Sequence, residues 1–174
     1  MPTARSSGAS TRNGGGAQVL PLKGGDAGEM LINDHQVIKG LLERLCQARE
    51  KRQRRSVLEK LKAALTIHNA VEENFFYPAL EKIGGKKRDA QKLYKETAEA
   101  DVVVFELDTM LKTGDDKKFE GLAKELQSSI LEHIDDEEKK AIPELRKHAT
   151  PEQEQLVSES IRDFRSKVRV TASR

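Results

Sequence analysis

The sequence predicts an all-α fold, an antiparallel up-down-up-down four-helix bundle with a short extra helix at its C-terminal end. Three observations predict it. Charged residues make up 34% of the 174 residues and aromatic residues only 4%, with no Trp. That balance suits amphipathic helices with a solvated outer face better than an aromatic-rich β-sandwich. Apolar residues recur at helical spacing from Met30 onward, which is the pattern of helices packed on one face. The periodic stretches are separated by short connections, as antiparallel neighbours require.

The elements follow in order. Residues 1–25 are rich in Gly, Ser, Thr and Arg and nearly lack apolar side chains, so they bury too little to offset the entropy of ordering and are expected to form a disordered tail. Gly8, Gly14, Gly15 and Gly16 interrupt that stretch, which favours a plain tail over an organelle-targeting signal. A first helix carries Leu31, Val37, Ile38, Leu41, Leu42 and Leu45, and the basic run 51–55 is expected to separate it from a second. The second carries Val57, Leu58, Leu61 and Leu65, runs on through Phe75, Phe76 and Leu80, and stops at Gly84 and Gly85. Leu93, Val103, Leu107 and Met110 mark a third helix ending near Gly114. Asp115 is the predicted N-cap of a fourth, with Phe119, Leu122, Leu126, Ile130 and Ile134 on its inner face. Thr150-Pro151 followed by Gln153 reads as an N-cap, an N1 proline and a capping-box partner for a fifth helix packed outside the bundle. The domain organisation is therefore a tail over 1–25, a bundle over 26–148, and a C-terminal helix and tail over 149–174.

Composition narrows the function. The 31 basic and 29 acidic residues nearly cancel, so no global field draws the protein to nucleic acid or anionic lipid. No apolar run has the length to span a bilayer or to act as a signal-peptide core, so a soluble protein with no membrane partner is expected. The lone Cys46 lies among Leu41, Leu42 and Leu45, which predicts a buried thiol and a reducing cytoplasmic setting.

The most informative feature is a repeat at an offset of 65 residues. His68, Glu72 and Glu73 lead to Pro78, Leu80 and Lys82, while His133, Glu137 and Glu138 lead to Pro143, Leu145 and Lys147 at the same spacings. On an α-helix, positions i and i+4 share a face, so His68 with Glu72 and His133 with Glu137 each make a two-pronged ligand. Glu73 and Glu138 point off that face. One such pair is ordinarily a solvated helix contact, but two in register with proline and leucine point to a metal. Imidazole and carboxylate donors suit iron, manganese or zinc. Asp136, three residues after His133, is a substitute for Glu137, although the other copy has Val71 there. The offset also maps His35 onto Ala100, Ile38 onto Val103 and Leu42 onto Leu107. The inward histidine of the first helix thus becomes alanine in the third.

At these residues, over about 27–148, the chain resembles the hemerythrin-like (HHE) cation-binding domains. The resemblance implies a non-haem di-iron centre inside a four-helix bundle. It implies that His35 and His68 bind one iron, that His133 binds the other, and that Glu72 and Glu137 bridge them. Ala100 stands where the family has a ligand histidine, so an incomplete di-iron site is expected, with one or two irons per chain. Zinc and manganese are the lesser candidates. Oxygen or nitric oxide is the implied small ligand, in sensing, storage or protection against iron and oxidative stress. Glu96 and Glu99 lie near the Ala100 position but read as solvated glutamates, and His148 reads as a cation at a helix C-terminus.

Other classes fit less well. Ferritin-like oxidases need Glu-x-x-His on two helices, and no histidine here has a glutamate three residues before it. No phosphate loop or nucleophile motif indicates another enzyme class, although peroxide or nitric oxide chemistry at iron stays open. The alternative is a metal-free helical bundle acting as an interaction or nucleic-acid-binding module, suggested by Arg49, Lys51, Arg52, Arg54 and Arg55 and by Lys86, Lys87 and Arg88. These runs lack the aromatic interleaving of a single-strand binder.

Overall fold

The computed structural model describes Leu20 and residues 24–172, with residues 169–172 described by backbone alone. Helix α1 spans Ala27–Gln47. Helix α2 spans 51–82 and has three segments: α-helical Lys51–Val71, π-helical Glu72–Phe76 and α-helical Tyr77–Lys82. Helix α3 is Lys87–Thr113. Helix α4 spans 116–148 and repeats the pattern of α2, with a π-helical Glu137–Ala141 between Asp116–Asp136 and Ile142–His148. Helix α5 is Pro151–Ala172. The chain is all-α. Helices α1 to α4 form a closed ring of neighbours, α1 against α2 and α4 and α3 against α2 and α4, while α5 lies across α1 and α2.

Local chemistry sets the ends. The Asp26 side chain accepts from Glu29 N–H at 2.8 Å to open α1, and Asp115 accepts from Lys118 N–H at 3.0 Å to open α4. Gly114 closes α3 in the left-handed region, φ 83°, which a side chain would resist. Thr150 and Gln153 make the reciprocal capping box that opens α5.

Two sequence expectations need correction here, the place of the basic run and the full burial of Cys46. The basic run 51–55 does not lie between helices, because α2 begins at Lys51 and the run is its first turn. Arg54 explains how the run is tolerated there. It is buried, donates to Ala48 O, pairs with Asp116 and Glu120 at 2.7 Å each, and covers the Phe119 ring. The expected tail over 1–25 lies outside the described residues except for Leu20, Gly24 and Gly25, and Leu20 is buried in the core. Cys46 is half-buried, its thiol donating to Ala123 O at 3.4 Å.

The core has two apolar halves. One gathers Ile38, Leu42, Leu61, Leu65, Val104, Leu126 and Ile134, and the other Met30, Leu31, Val71, Phe76, Leu93 and Ile142. Each of α1 to α4 passes from one half to the other through a polar step: His35 between Leu31 and Ile38, His68 between Leu65 and Val71, Thr97 between Leu93 and Val104, Glu137 between Ile134 and Ala141. A polar layer therefore crosses the middle of the bundle. Among the described residues, no helix is long and apolar enough to cross a membrane.

Candidate metal centre

The polar layer begins with the π turns. Proline has no N–H and its ring crowds the carbonyl four residues earlier, and Pro78 and Pro143 each follow a π segment. In those segments Tyr77 N–H bonds Glu72 O and Ile142 N–H bonds Glu137 O, five residues back instead of four. In that register Pro78 would be the partner of Glu73 O, which instead accepts the Tyr94 hydroxyl at 2.8 Å. The repeated prolines thus widen both helices from the glutamate of each His-Glu pair onward.

Four of the residues singled out from the sequence meet in this layer. Ligand atoms of His35, His68, Glu72 and Glu137 all lie within 4.8 Å of one another. His68 Nε2 is 2.7 Å from Glu72 Oε1, and His35 Nε2 is 3.2 Å from Glu137 Oε2 and 3.9 Å from Glu72 Oε1. None of the four residues is more than 3% exposed. Yet His35 Nε2, His68 Nε2, Glu72 Oε1 and both Glu137 oxygens form no well-aligned hydrogen bond and have only these close contacts within the layer, a rare condition for buried polar atoms. His133 stands one step aside, its Nε2 3.5 Å from Glu137 Oε1.

Each ring is held from behind by a carboxylate. His35 Nδ1 is 2.9 Å from Glu138, His68 Nδ1 is 3.4 Å from Asp34, and His133 Nδ1 is 3.0 Å from Glu96. This orients every Nε2 inward and raises its basicity, as carboxylate partners of metal-binding histidines do. Two sequence readings are overturned by these contacts. Glu138 does not point away, because the π turn swings it to His35. Glu96 is not a merely solvated glutamate, because half-burial beside His133 gives it a partner. Glu99 is exposed and pairs with Lys95. Asp136 pairs with Lys140 and Lys92, which hold its carboxyl down to about 2, so it is a surface group and Glu137 is the buried one. His148 is exposed and sits 2.9 Å from Glu144 at the end of α4.

Tyr77 was not picked out by the sequence. It is fully buried, and its hydroxyl lies 3.0 Å from Glu72 Oε2 and 3.2 Å from His133 Nε2. Its counterpart at the 65-residue offset is Ile142, so the repeat gave no signal for it. The two carboxylates consequently face two ways. Glu72 Oε1 and Glu137 Oε2 face His35 and His68, while Glu72 Oε2 faces Tyr77 and Glu137 Oε1 faces His133.

The electrostatics match buried ligands crowded together. Burial opposes the His68 imidazolium, but the carboxylates of Glu72 and Asp34 outweigh it and push the pKa up to about 10. His35 is raised in the same way by Glu137 and Glu72 against burial. Burial works to raise Glu72, but the charges of His68 and the contact of His35 hold it well below the usual carboxylate range. Burial and then the Glu72 charge raise Glu137. Burial, followed by Glu72 and Glu137, lifts the Tyr77 phenol well above its ordinary value. Beside this layer lies a cavity of about 420 Å³ lined by Ala100, Glu96, Thr97, His68, His133 and Val103 among others.

Residues 26–145 match the family model described as the hemerythrin HHE cation binding domain. No curated protein and no solved structure matches the chain.

Proposed function

The chain belongs to the hemerythrin HHE cation-binding family, and from that premise we propose that it is a non-haem iron protein holding one metal ion tightly per chain, with an incomplete second position. The observation that carries this reading is the set of buried donor atoms on His35, His68, Glu72 and Glu137 that form no well-aligned hydrogen bond and meet only other histidines and glutamates of the layer. Such groups cost several kcal/mol each when poorly satisfied in an interior, roughly, and a cation satisfies them together. Two imidazoles and two carboxylates suit iron, with zinc or manganese the weaker fits. Iron, when bound, supplies a redox-active Lewis acid for a diatomic ligand such as oxygen or nitric oxide, in sensing, storage or protection against iron or oxidative stress.

The second position is built from His133, Tyr77 and the outer oxygens of Glu72 and Glu137. It has one imidazole, because helix α3 brings Ala100 and not a histidine to this level. The Tyr77 phenol keeps its proton and donates it to Glu72 Oε2, so this half is partly satisfied without a metal. A second cation is held more weakly there. The cavity beside Ala100 and His133 gives a small neutral ligand an approach from α3. The single Cys46 suits a reducing cytoplasm. A nucleic-acid role is disfavoured by the burial of Arg54 and its pairing with Asp116 and Glu120.

The test is metal analysis of protein purified without added metal, with an ultraviolet-visible spectrum before and after air exposure. About one iron per chain and an oxygen-dependent spectrum support the reading. Zinc alone with no spectral response, or no metal after reconstitution, contradicts it.

A further inference from the structure

The carboxylates behind the three histidines are not equivalent. Glu138 and Glu96 are 27% and 25% exposed at the side chain, and each also meets a lysine, Lys39 and Lys92 respectively. Asp34, behind His68, is fully buried. Its cation is Arg165, whose guanidinium donates to the same Oδ2 that faces His68 Nδ1. Arg165 is 4% exposed and sits on α5, beyond residues 26–145 of the family match.

The placement of α5 is specific. Ile161 is buried in the core half that holds Met30 and Phe76. The Phe164 ring packs on Phe75 of the α2 π segment at 5.6 Å, and Arg162 donates to Gly25 O at 2.9 Å. These contacts fix α5 across α1 and the π turn of α2, so that Arg165 enters the interior beside Asp34. A buried carboxylate and a buried guanidinium each need the other, since either one alone is an uncompensated charge in an apolar setting. The pair is 131 residues apart in the chain, so it ties the C-terminal helix to the ligand shell.

We propose that Arg165 is a positioning residue of the metal centre: by neutralising Asp34 and pinning its carboxylate against His68 Nδ1, it aims His68 Nε2 at Glu72. The fifth helix is then a working element of the site and not an appendage to the bundle. The inference rests on reading the cluster as a metal centre, and its test separates the two.

Full-length Arg165→Met, Arg165→Lys and the doubly neutral Asp34→Asn/Arg165→Met are compared with the wild-type protein. The double variant removes both buried charges and so guards against simple misfolding of Arg165→Met. Affinity for ferrous iron and for zinc is measured by anaerobic competition with a chelator, and helix content and melting midpoint are recorded alongside. In the metal-free proteins, the His68 Nδ1 proton is followed by nitrogen-15 NMR. Arg165→Met and the double variant are expected to lose about tenfold to a hundredfold in affinity for both metals, the range for partners of metal-bound histidines. They are also expected to lose the exchange-protected His68 proton. Arg165→Lys restores some of both, at unchanged helix content. Unchanged affinity and an unchanged proton signal in the double variant overturn the proposal. If the wild type bound neither metal, the metal-centre reading would fall, and the proton signal would still decide whether Arg165 positions the ring.

Discussion

The Tyr77 hydroxyl lies 3.0 Å from Glu72 Oε2, and the Tyr77 N–H bonds the Glu72 carbonyl through the π turn between them. Side chain and backbone of one residue thus brace a candidate bridging carboxylate. Tyr77→Phe removes the hydroxyl but keeps the ring in the core. It is expected to cost the metal-free protein about 1 to 2 kcal/mol, the range for a buried hydrogen bond whose partner is left behind. The tight metal should remain, because Tyr77 faces the other side of Glu72. Chemical denaturation and metal analysis of the variant check both statements, and loss of the tight metal would show that Tyr77 belongs to the first position.

The stability of the metal-free protein and its affinity for metal depend on pH with opposite signs. His68 rises from 6.5 unfolded to about 10 folded, so its contribution to stability is complete below pH 6.5 and is lost as pH rises through about 10. The raised Tyr77 phenol acts in the same direction at the alkaline end. Metal must displace the His68 proton, so affinity climbs over the same window. Urea midpoints of metal-free protein should fall from pH 6 to pH 10 while metal affinity increases. A midpoint that rises with pH would mean that His68 is not held as an imidazolium.

Much of the fold was legible because the bundle helices announce themselves in apolar spacing, and several of them also in their ends. Asp115, Gly114 and the Thr150/Gln153 box are local signals whose effect does not depend on the rest of the chain. The repeat also pointed to His68, Glu72, His133 and Glu137, and the cluster gathers His68, Glu72 and Glu137 of these with His35, which the family resemblance supplied because its counterpart in the repeat is Ala100. The supporting residues were hidden for separate reasons. Asp34 and Glu96 meet histidines of other helices 34 and 37 residues away, and Arg165 meets Asp34 across 131 residues. Glu138 was misread because an α-helical wheel fails inside a π turn, and the paired prolines were the available signal for that turn. Tyr77 lacks a counterpart in the second copy and sits in a run, Phe75-Phe76-Tyr77, that reads as ordinary core.

Glu138 and Glu73 occupy matching positions of the repeat, yet Glu138 meets His35 Nδ1 at 2.9 Å and Glu73 is exposed. Glu138→Gln is expected to weaken metal binding by about tenfold, whereas Glu73→Gln leaves it unchanged. Equal effects in a competition assay would mean that the contact with His35 does not support the site.

Ala100 borders the cavity of about 420 Å³ next to His133. An imidazole there enters space and not packed atoms, so Ala100→His should alter metal-free stability by less than about 1 kcal/mol, short of the usual overpacking penalty. It should raise metal content above one per chain by adding a second imidazole to the weaker position. A variant with unchanged content would show that the ring does not reach that position.

The central claim is that one metal is held tightly by His35, His68, Glu72 and Glu137, and it is tested most directly by anaerobic titration of the metal-free full-length protein with ferrous iron. The account predicts one tight equivalent per chain, abolished by His68→Ala and retained by His133→Ala. Two equally tight equivalents in the wild type, or a tight equivalent that survives His68→Ala, would contradict it.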